Sequence, residues 1–324
     1  MNTTSQGART CLVSVVVTVM ATASLGHAML FLDNTSTASS YNATAPGGAL
    51  IGSGWDLTGN LNSFIGVPID GRYFVTAKHC GWNDATQYSV TFASGPNQGT
   101  FNASKTQHWD DPNSDLRVWK LDATSASFVS WAPLYTNTNE AGKDLVMFGR
   151  GYTRGAAVTV GTELKGWQWS SSGAGTKRWG TNAVTGYADY QTVGDNHLLY
   201  ANFDQSVGGT EAMLANLDSG AGLFIQDGTT WKLAGVGYGV DPATYALTSS
   251  HTGSFNAAAF DYGGLYYYDG QAWQYMQDSS SNIPAASYAS RVSTSSSWIM
   301  GIIPEPSALL LLLLGYGGWG TRRR

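Results

Sequence analysis

Cysteine is nearly absent from this sequence. Of 324 residues only two are cysteines, Cys11 and Cys80; Cys11 falls in a segment that reads as a removable leader, so Cys80 is left alone. No intramolecular disulfide is expected, and Cys80 should pack as a small hydrophobe. Charge is also scarce, at 12% of residues, and no Lys or Arg occurs from residue 10 to residue 71. Processing after a basic residue is thereby excluded in that stretch. The five histidines are scattered without the spacing of metal ligands, and His108, His197 and His251 read as surface or core residues. Glycine-rich phosphate loops are lacking too. No metal and no cofactor is expected.

Long apolar runs occur only at the two ends. At the N-terminus a single charge, Arg9, precedes the apolar run from Cys11 to Met20 and the small residues ending at Gly26-His27-Ala28. This pattern predicts a secretory signal peptide over residues 1–28, cut after Ala28, with Ala23 the second choice. The run is shorter than the ~20 residues a membrane span needs. At the C-terminus Pro304-Glu305-Pro306 is followed by the apolar stretch Ser307 to Gly320, with six consecutive leucines, and by Arg322-Arg323-Arg324. Residues 303–324 resemble a PEP-CTERM sorting tail. The resemblance implies export from a Gram-negative bacterium to the cell surface or extracellular matrix, membrane contact through the tail, and its removal by an exosortase-type protease; a plain single-span anchor helix is the alternative. Losing Arg9, the three terminal arginines and Glu305 leaves 13 basic and 21 acidic residues, a net charge of −8. Such a surface repels nucleic acid.

What the chain has in quantity is glycine and aromatics: 40 Gly, 17 Tyr, 12 Trp and 11 Phe, within 43% hydrophobic residues. Short strands and tight turns follow from that composition, giving an all-β chain of one large domain or two packed halves. Residues 29–48 are small and polar. Phe64 to Val67 and Arg72 to Ala77 flank Pro68-Ile69-Asp70-Gly71, and the Asp-Gly step predicts a hairpin. Asp144 to Tyr152 reads as an apolar strand ending in Gly149-Arg150-Gly151, with a domain boundary upstream through Ala132 to Gly142. Residues 255–286 form an aromatic-rich insertion, read as an extra hairpin covering a sheet edge or as a binding platform for substrate or glycan.

Three stretches carry chemistry. Thr76-Ala77-Lys78-His79-Cys80 ends an apolar strand on a histidine. Asp115-Leu116-Arg117-Val118-Trp119-Lys120-Leu121 opens an alternating strand with an aspartate, and Leu217-Asp218-Ser219-Gly220-Ala221-Gly222 places a serine in a loop of small residues. A serine becomes a nucleophile only with a base to take its proton and a carboxylate to orient the base. Asp110 and Asp111 lie close to Asp115 but lack the following strand and rank behind it.

In this order and at these separations the three stretches resemble the T-A-A-H-C, D-[IL]-A-L-[LIV]-[KR]-L and G-D-S-G-G-P motifs of the trypsin-like, chymotrypsin-fold serine peptidases. The resemblance spans roughly residues 49–300. It implies two antiparallel six-stranded β-barrels, over residues 49–138 and 139–300, and a short C-terminal helix after Arg291. It implies His79 as general base, Asp115 as its orienter and Ser219 as nucleophile, with the backbone amides of Leu217 and Ser219 binding the oxyanion. Asp218 would pair with a freed N-terminus such as that of Met29, or else be held by local groups. Met213, Gly237, Tyr238 and Gly239 would line the substrate site, with Met213 at its floor. An uncharged floor disfavours Lys and Arg substrates and favours apolar or aromatic ones. Lys78 stands where a small residue is usual and sets a cation beside His79.

Leu217 departs from the family, which has glycine there in a conformation that Cβ disfavours. Two readings therefore stand: an exported serine endopeptidase acting on protein or peptide substrates, and a catalytically impaired homologue serving as a surface or matrix binding protein. Hydrolysis of another acyl bond by the same machinery is not distinguished from the first.

Overall fold

The computed structural model describes residues 29–32, 41–81, 86–172, 174–191 and 193–304. The signal peptide expected over residues 1–28 and the expected sorting tail from residue 305 onward lie outside the described residues.

A two-residue strand, β1 (Leu30–Phe31), precedes the first half of the chain. That half is a closed barrel of β2 (Gly59–Leu61), β3 (Phe64–Asp70), β4 (Tyr73–Ala77), β5 (Ser89–Phe92), β6 (Gly99–Asp110) and β7 (Leu116–Leu121), in the order β2-β3-β4-β7-β6-β5. Its interior is aromatic, with Phe74, Phe92, Phe101, Trp119 and Phe128 around Leu61, Val90 and Leu121. The β3–β4 hairpin forms as the Asp-Gly step predicts, but β3 continues through Pro68 and turns only after Asp70. Pro68 is tolerated because β2 pairs with β3 no further than Gly66, so the missing N–H falls where no ladder partner waits. Asp70 Oδ1 then accepts the Arg72 amide at 3.1 Å and closes the turn.

The second half comprises β8 (Asp144–Gly149), β9 (Thr153–Val160), β10 (Glu163–Ser170), β11 (Arg178–Ala183), β12 (Gly186–Tyr190), β13 (Val193–Asn202), β14 (Ala212–Met213), β15 (Gly222–Asp227), β16 (Thr230–Asp241), β17 (Thr244–Ala246), β18 (Phe255–Ala259), β19 (Tyr266–Tyr268), β20 (Trp273–Tyr275) and β21 (Ala286–Arg291), followed by the helix α1 (Val292–Ile302). The expected second six-stranded barrel is not what forms. Among the described residues this half makes a seven-stranded sheet, β11-β8-β15-β16-β21-β13-β12, and a six-stranded sheet, β20-β19-β17-β18-β10-β9, neither of them closed. The seven-stranded sheet ends in the edges β11 and β12, which do not pair with each other, and the strands β9 and β10 are drawn into the other sheet. There β18 of the aromatic insertion pairs with β10, Gly166 opposite Ala259 and Trp167 opposite Ala258. Gly166 is required at this pairing, since a Cβ there would sit 2.2 Å from the Ala258 carbonyl.

The seven-stranded sheet is buried on both faces. Leu145 and Met147 of β8 with Leu223 and Ile225 of β15 face one cluster; Val146, Phe148 and Phe224 face another. That explains why these strands read as unbroken apolar runs. The second cluster also contains Val67, Val75, Leu116 and Val118 of the barrel, so the two halves share one core. The seam is also tied by polar groups: Ser295 of α1 hydrogen-bonds Asp111 in the barrel. Within the second half, Arg291 pairs with the fully buried Glu140 at 2.8 Å. The halves are thereby fixed against each other, and the candidate site lies at the junction.

Candidate active site

The strand β4 runs out at Ala77 and the chain turns through a single 3-10 turn, Lys78–Cys80. That turn presents His79 while the start of β7 presents Asp115, and the two strands pair in register from Tyr73↔Lys120 to Ala77↔Leu116. Asp115 is almost fully buried. Its carboxylate accepts the His79 amide at 3.1 Å and lies 2.5 Å from His79 Nδ1, while its carbonyl accepts the Lys78 amide at 2.7 Å. On the other ring edge, His79 Nε2 lies 2.7 Å from Ser219 Oγ. The three residues singled out by their motifs thus form one hydrogen-bonded line across the seam. With Nδ1–H held by a carboxylate, Nε2 is the lone-pair nitrogen that can take the serine proton.

Neighbouring acids are committed elsewhere. Asp110 forms a two-pronged ion pair with Arg117, at 2.5 and 2.9 Å. Asp111 accepts from Asn113 N, Ser114 Oγ and Ser295 Oγ. Lys78 Nζ donates to the carbonyls of Asp111 and Ser114 at 3.2 and 2.9 Å, tying down the loop that leads to Asp115. Cys80 is free, as expected, with Thr76 Oγ1 at 3.8 Å from its sulfur and burial pushing its thiol up to about 12.

Ser219 sits in the loop between β14 and β15, which is moulded onto both halves. Its carbonyl accepts the Ile65 amide of the barrel at 3.1 Å. Gly220 follows at φ +83°, and a Cβ there would lie 2.1 Å from the Ile65 carbonyl and 2.5 Å from Thr76 Oγ1. No other residue fits that close approach. Two residues before Ser219, Leu217 stands at φ +73°, the conformation glycine would adopt. Its N–H donates to Asn216 Oδ1 at 3.1 Å.

Asp218 is buried, and its carboxylate accepts three backbone amides: Arg150 and Gly151 at 2.6 Å each and Ala215 at 2.9 Å. In the uncut chain Asp218 is thus held by local groups. Burial nevertheless pushes its carboxyl up to about 7, the amides and the Arg150 charge pulling against it. Met29 packs into the same corner, fully buried: a Cβ added at Gly149 would fall 2.3 Å from Met29 Cγ and 2.5 Å from Asp218 Oδ1. Gly151 is constrained as well, because a Cβ there would lie 2.1 Å from the Asn216 carbonyl. The Gly149-Arg150-Gly151 pattern thus serves the Asp218 corner.

Beside Ser219 lies a cavity of about 90 Å³, walled by Trp169, Leu214, Asn216, Gly237, Gly239 and Val240 among others. Tyr238 also contributes, and its ring meets His79 edge-on at 5.9 Å. Met213 does not reach this cavity. It is fully buried on the far side, where β14 pairs with β1, Met213 opposite Leu30, among Trp167, Phe203 and Phe260. A broader groove of about 620 Å³ continues past His79 between Tyr238, Asp189, Asp241 and Tyr288. Sequence reasoning missed Trp169, Leu214, Asn216 and Val240 on the wall, and Tyr190, whose ring meets Tyr238 at 5.5 Å. Leu214 and Asn216 lie just before the serine motif and Val240 directly follows Gly239, whereas Trp169 comes from a distant strand that no local pattern connects with the serine. Among the described residues no group of three or more His, Cys, Asp or Glu could hold a metal ion.

Comparison with known proteins bears on the family of the chain. Among solved structures that match is neuropsin, a serine protease expressed in the limbic system of mouse brain: 15% identical, covering 78% of this chain and 96% of that one, with a TM-score of 0.44. No curated protein matches significantly. The profile of the trypsin family matches residues 22–242. That span includes His79, Asp115 and Ser219 and covers more than half of the sequence; the chain belongs to the trypsin family of serine peptidases.

Proposed function

We propose that the protein is an exported serine endopeptidase that hydrolyses peptide bonds through an acyl-enzyme intermediate. The observation that carries the reading is the continuous line Asp115–His79–Ser219, with contacts of 2.5 and 2.7 Å. In this mechanism Ser219 Oγ attacks the substrate carbonyl while His79 Nε2 takes its proton, and Asp115 holds the ring and stabilises the imidazolium. His79 then returns the proton to the leaving amine. Water, deprotonated by the same nitrogen, attacks the acyl-enzyme and releases the acid. The amides of Ser219 and Leu217 are the oxyanion donors in this reading. Leu217 supports it by already standing in the left-handed conformation that glycine would supply.

Export and surface location rest on the sequence of the two ends, with removal of residues 1–28 and processing of the tail by an exosortase-type enzyme as the corresponding steps. Among the described residues no helix is long and apolar enough to cross a membrane; membrane contact is assigned to the tail. A cut before Met29 would create an ammonium group in the corner that holds the Asp218 carboxylate.

The second reading, an impaired homologue acting as a binding protein, is favoured by one contact: the Leu217 N–H is engaged by Asn216 Oδ1. A fluorophosphonate probe separates the two readings. Labelling of the parent that vanishes in Ser219→Ala supports the peptidase; labelling only in Leu217→Gly or Asn216→Ala means that the second oxyanion donor is lost in the parent, and the binding-protein reading takes over.

A further inference from the structure

We propose that the cavity beside Ser219 accepts a small aliphatic side chain, of alanine to valine size, at the residue whose carbonyl is attacked, and that Trp169 and Val240 set this limit. The proposal rests on the serine peptidase reading and narrows its substrate class from apolar or aromatic residues to small aliphatic ones.

Volume is the first argument. The cavity holds about 90 Å³, whereas an apolar protein cavity of about 150 Å³ is what takes up a benzene molecule. A benzyl or indolyl side chain does not fit without displacing the wall. Charge is the second. Among the described residues on the wall Asp218 is the only carboxylate, and it is taken up by the amides of Arg150, Gly151 and Ala215. A lysine or arginine head group would enter with no counter-ion, at a desolvation cost that excludes it.

The wall is built in a way specific to this chain. Met213, at the position of the floor, is drawn away by the pairing of β14 with β1. Trp169, from β10, stands against the cavity instead. β10 is clamped on both sides, by β9 and by β18 of the aromatic insertion, and Gln168 immediately before Trp169 is opposite Ala257. The insertion is therefore a brace for the wall of the substrate pocket. Beside Gly239, by contrast, there is room: a Cβ there would meet nothing within 4 Å. The limit is assigned to Trp169 and Val240, not to Gly239.

The test uses the full chain and peptidyl diphenyl phosphonates that differ only in the side chain beside phosphorus: Ala, Val, Phe or Lys. In the reaction the Ser219 Oγ–P bond forms, phenoxide leaves, and His79 takes the hydroxyl proton. A fluorophosphonate without a side chain reports reactivity of Ser219 independently. The Ala and Val probes are expected to inactivate at least tenfold faster than Phe or Lys, since each apolar methylene accommodated or refused is worth about 10–200-fold. Val240→Gly and Trp169→Ala should each raise the Phe/Ala rate ratio at least tenfold while fluorophosphonate labelling persists; Val240→Gly stands in if Trp169→Ala does not fold. A parent that reacts with Phe as fast as with Ala or Val, or variants that leave the ratio unchanged, would overturn the proposal while leaving the peptidase reading intact. Failure of the fluorophosphonate to label the parent would remove both.

Discussion

The two halves of this molecule reach the active site by different routes. The first is a closed barrel with an aromatic interior, and it delivers His79 and Asp115 from paired strands in unbroken register. The second is two open sheets, and it delivers Ser219 from a loop carrying a leucine at φ +73° and a buried carboxyl pushed up to about 7. The base side is built from satisfied hydrogen bonds; the serine side holds strain and charge in a corner formed by residues far apart in sequence. In the first half two hairpin turns join β2, β3 and β4, and closure is completed by longer-range pairing of β2 with β5 and of β4 with β7. In the second half the seven-stranded sheet keeps β11 and β12 as edges, while β9 and β10 join the strands of the insertion in a second sheet.

The comparison breaks most sharply at the contact between the halves. Ser219→Ala should abolish labelling, and Asp115→Asn should lower turnover by about 10⁴-fold with folding unchanged, because it misorients the imidazole; peptide hydrolysis and a thermal melt read both. If Asp115→Asn costs less than tenfold, the base side is not organised as described. Next in size is the shared core. Phe148→Ala empties a fully buried position that packs on Phe224, ring to ring at 5.7 Å, and should cost about 3–5 kcal/mol in denaturant unfolding.

The insertion is tested by Lys165 of β10, a buried ammonium that bonds Asp261 at 2.7 Å and Asp278 at 2.9 Å, both on the inserted segment. Those carboxylates hold its pKa well above the usual lysine range. Lys165→Met leaves Asp261 buried without its cation and should cost about 3–5 kcal/mol. If the insertion braces the pocket, the same variant also raises the Phe/Ala rate ratio; a loss of stability with no change in ratio would separate the two roles.

A pH series examines the strained corner. Burial raises the Asp218 carboxyl from 3.8 to about 7, so its contribution to stability is fully present below about pH 4 and is lost as the pH rises through about 7, each unit being worth about 1.4 kcal/mol. Melting of the uncut chain between pH 4 and 8 should fall on this account, and Asp218→Asn should flatten the slope whatever it does to the absolute value. In a chain beginning at Met29, pairing of the new ammonium with Asp218 would reverse the sign, with stability lost as the pH falls. The smallest effect belongs to Leu217→Gly. Relief of the left-handed conformation is worth about 1–2 kcal/mol, less the chain entropy of glycine, so a gain of about 1 kcal/mol or less with turnover changed by less than about threefold is the outcome if the oxyanion donors are already in place.

Much of the site was legible because its chemistry is local. His79 and Ser219 each sit in a short motif whose neighbours turn the chain, and Asp115 opens the strand that pairs with β4, so motif order and strand alternation sufficed to name all three. Asp115 stood apart from Asp110 and Asp111 for the same reason: only it begins that strand. The substrate pocket was not legible in this way. Met213 has the right offset from Ser219, yet its side chain follows the pairing of β14 with β1, a contact between segments some 180 residues apart in the chain. Trp169 enters through the β10–β18 ladder, and nothing around it in sequence points towards the serine.

By itself, then, the sequence determined an all-β chain and the three motifs that hold His79, Asp115 and Ser219, because each depends on side-chain period, turn chemistry or residue type within a few positions; the first barrel was implied by the resemblance those motifs carry. Tertiary structure alone decided that the second half stays open, that Leu217 takes the glycine conformation, that Asp218 in the uncut chain is met by local amides, and that Met213 packs away from Ser219. These outcomes depend on which of several competing edges and apolar faces meet at long range. Local propensities do not rank such alternatives; the free energy of the packed whole does.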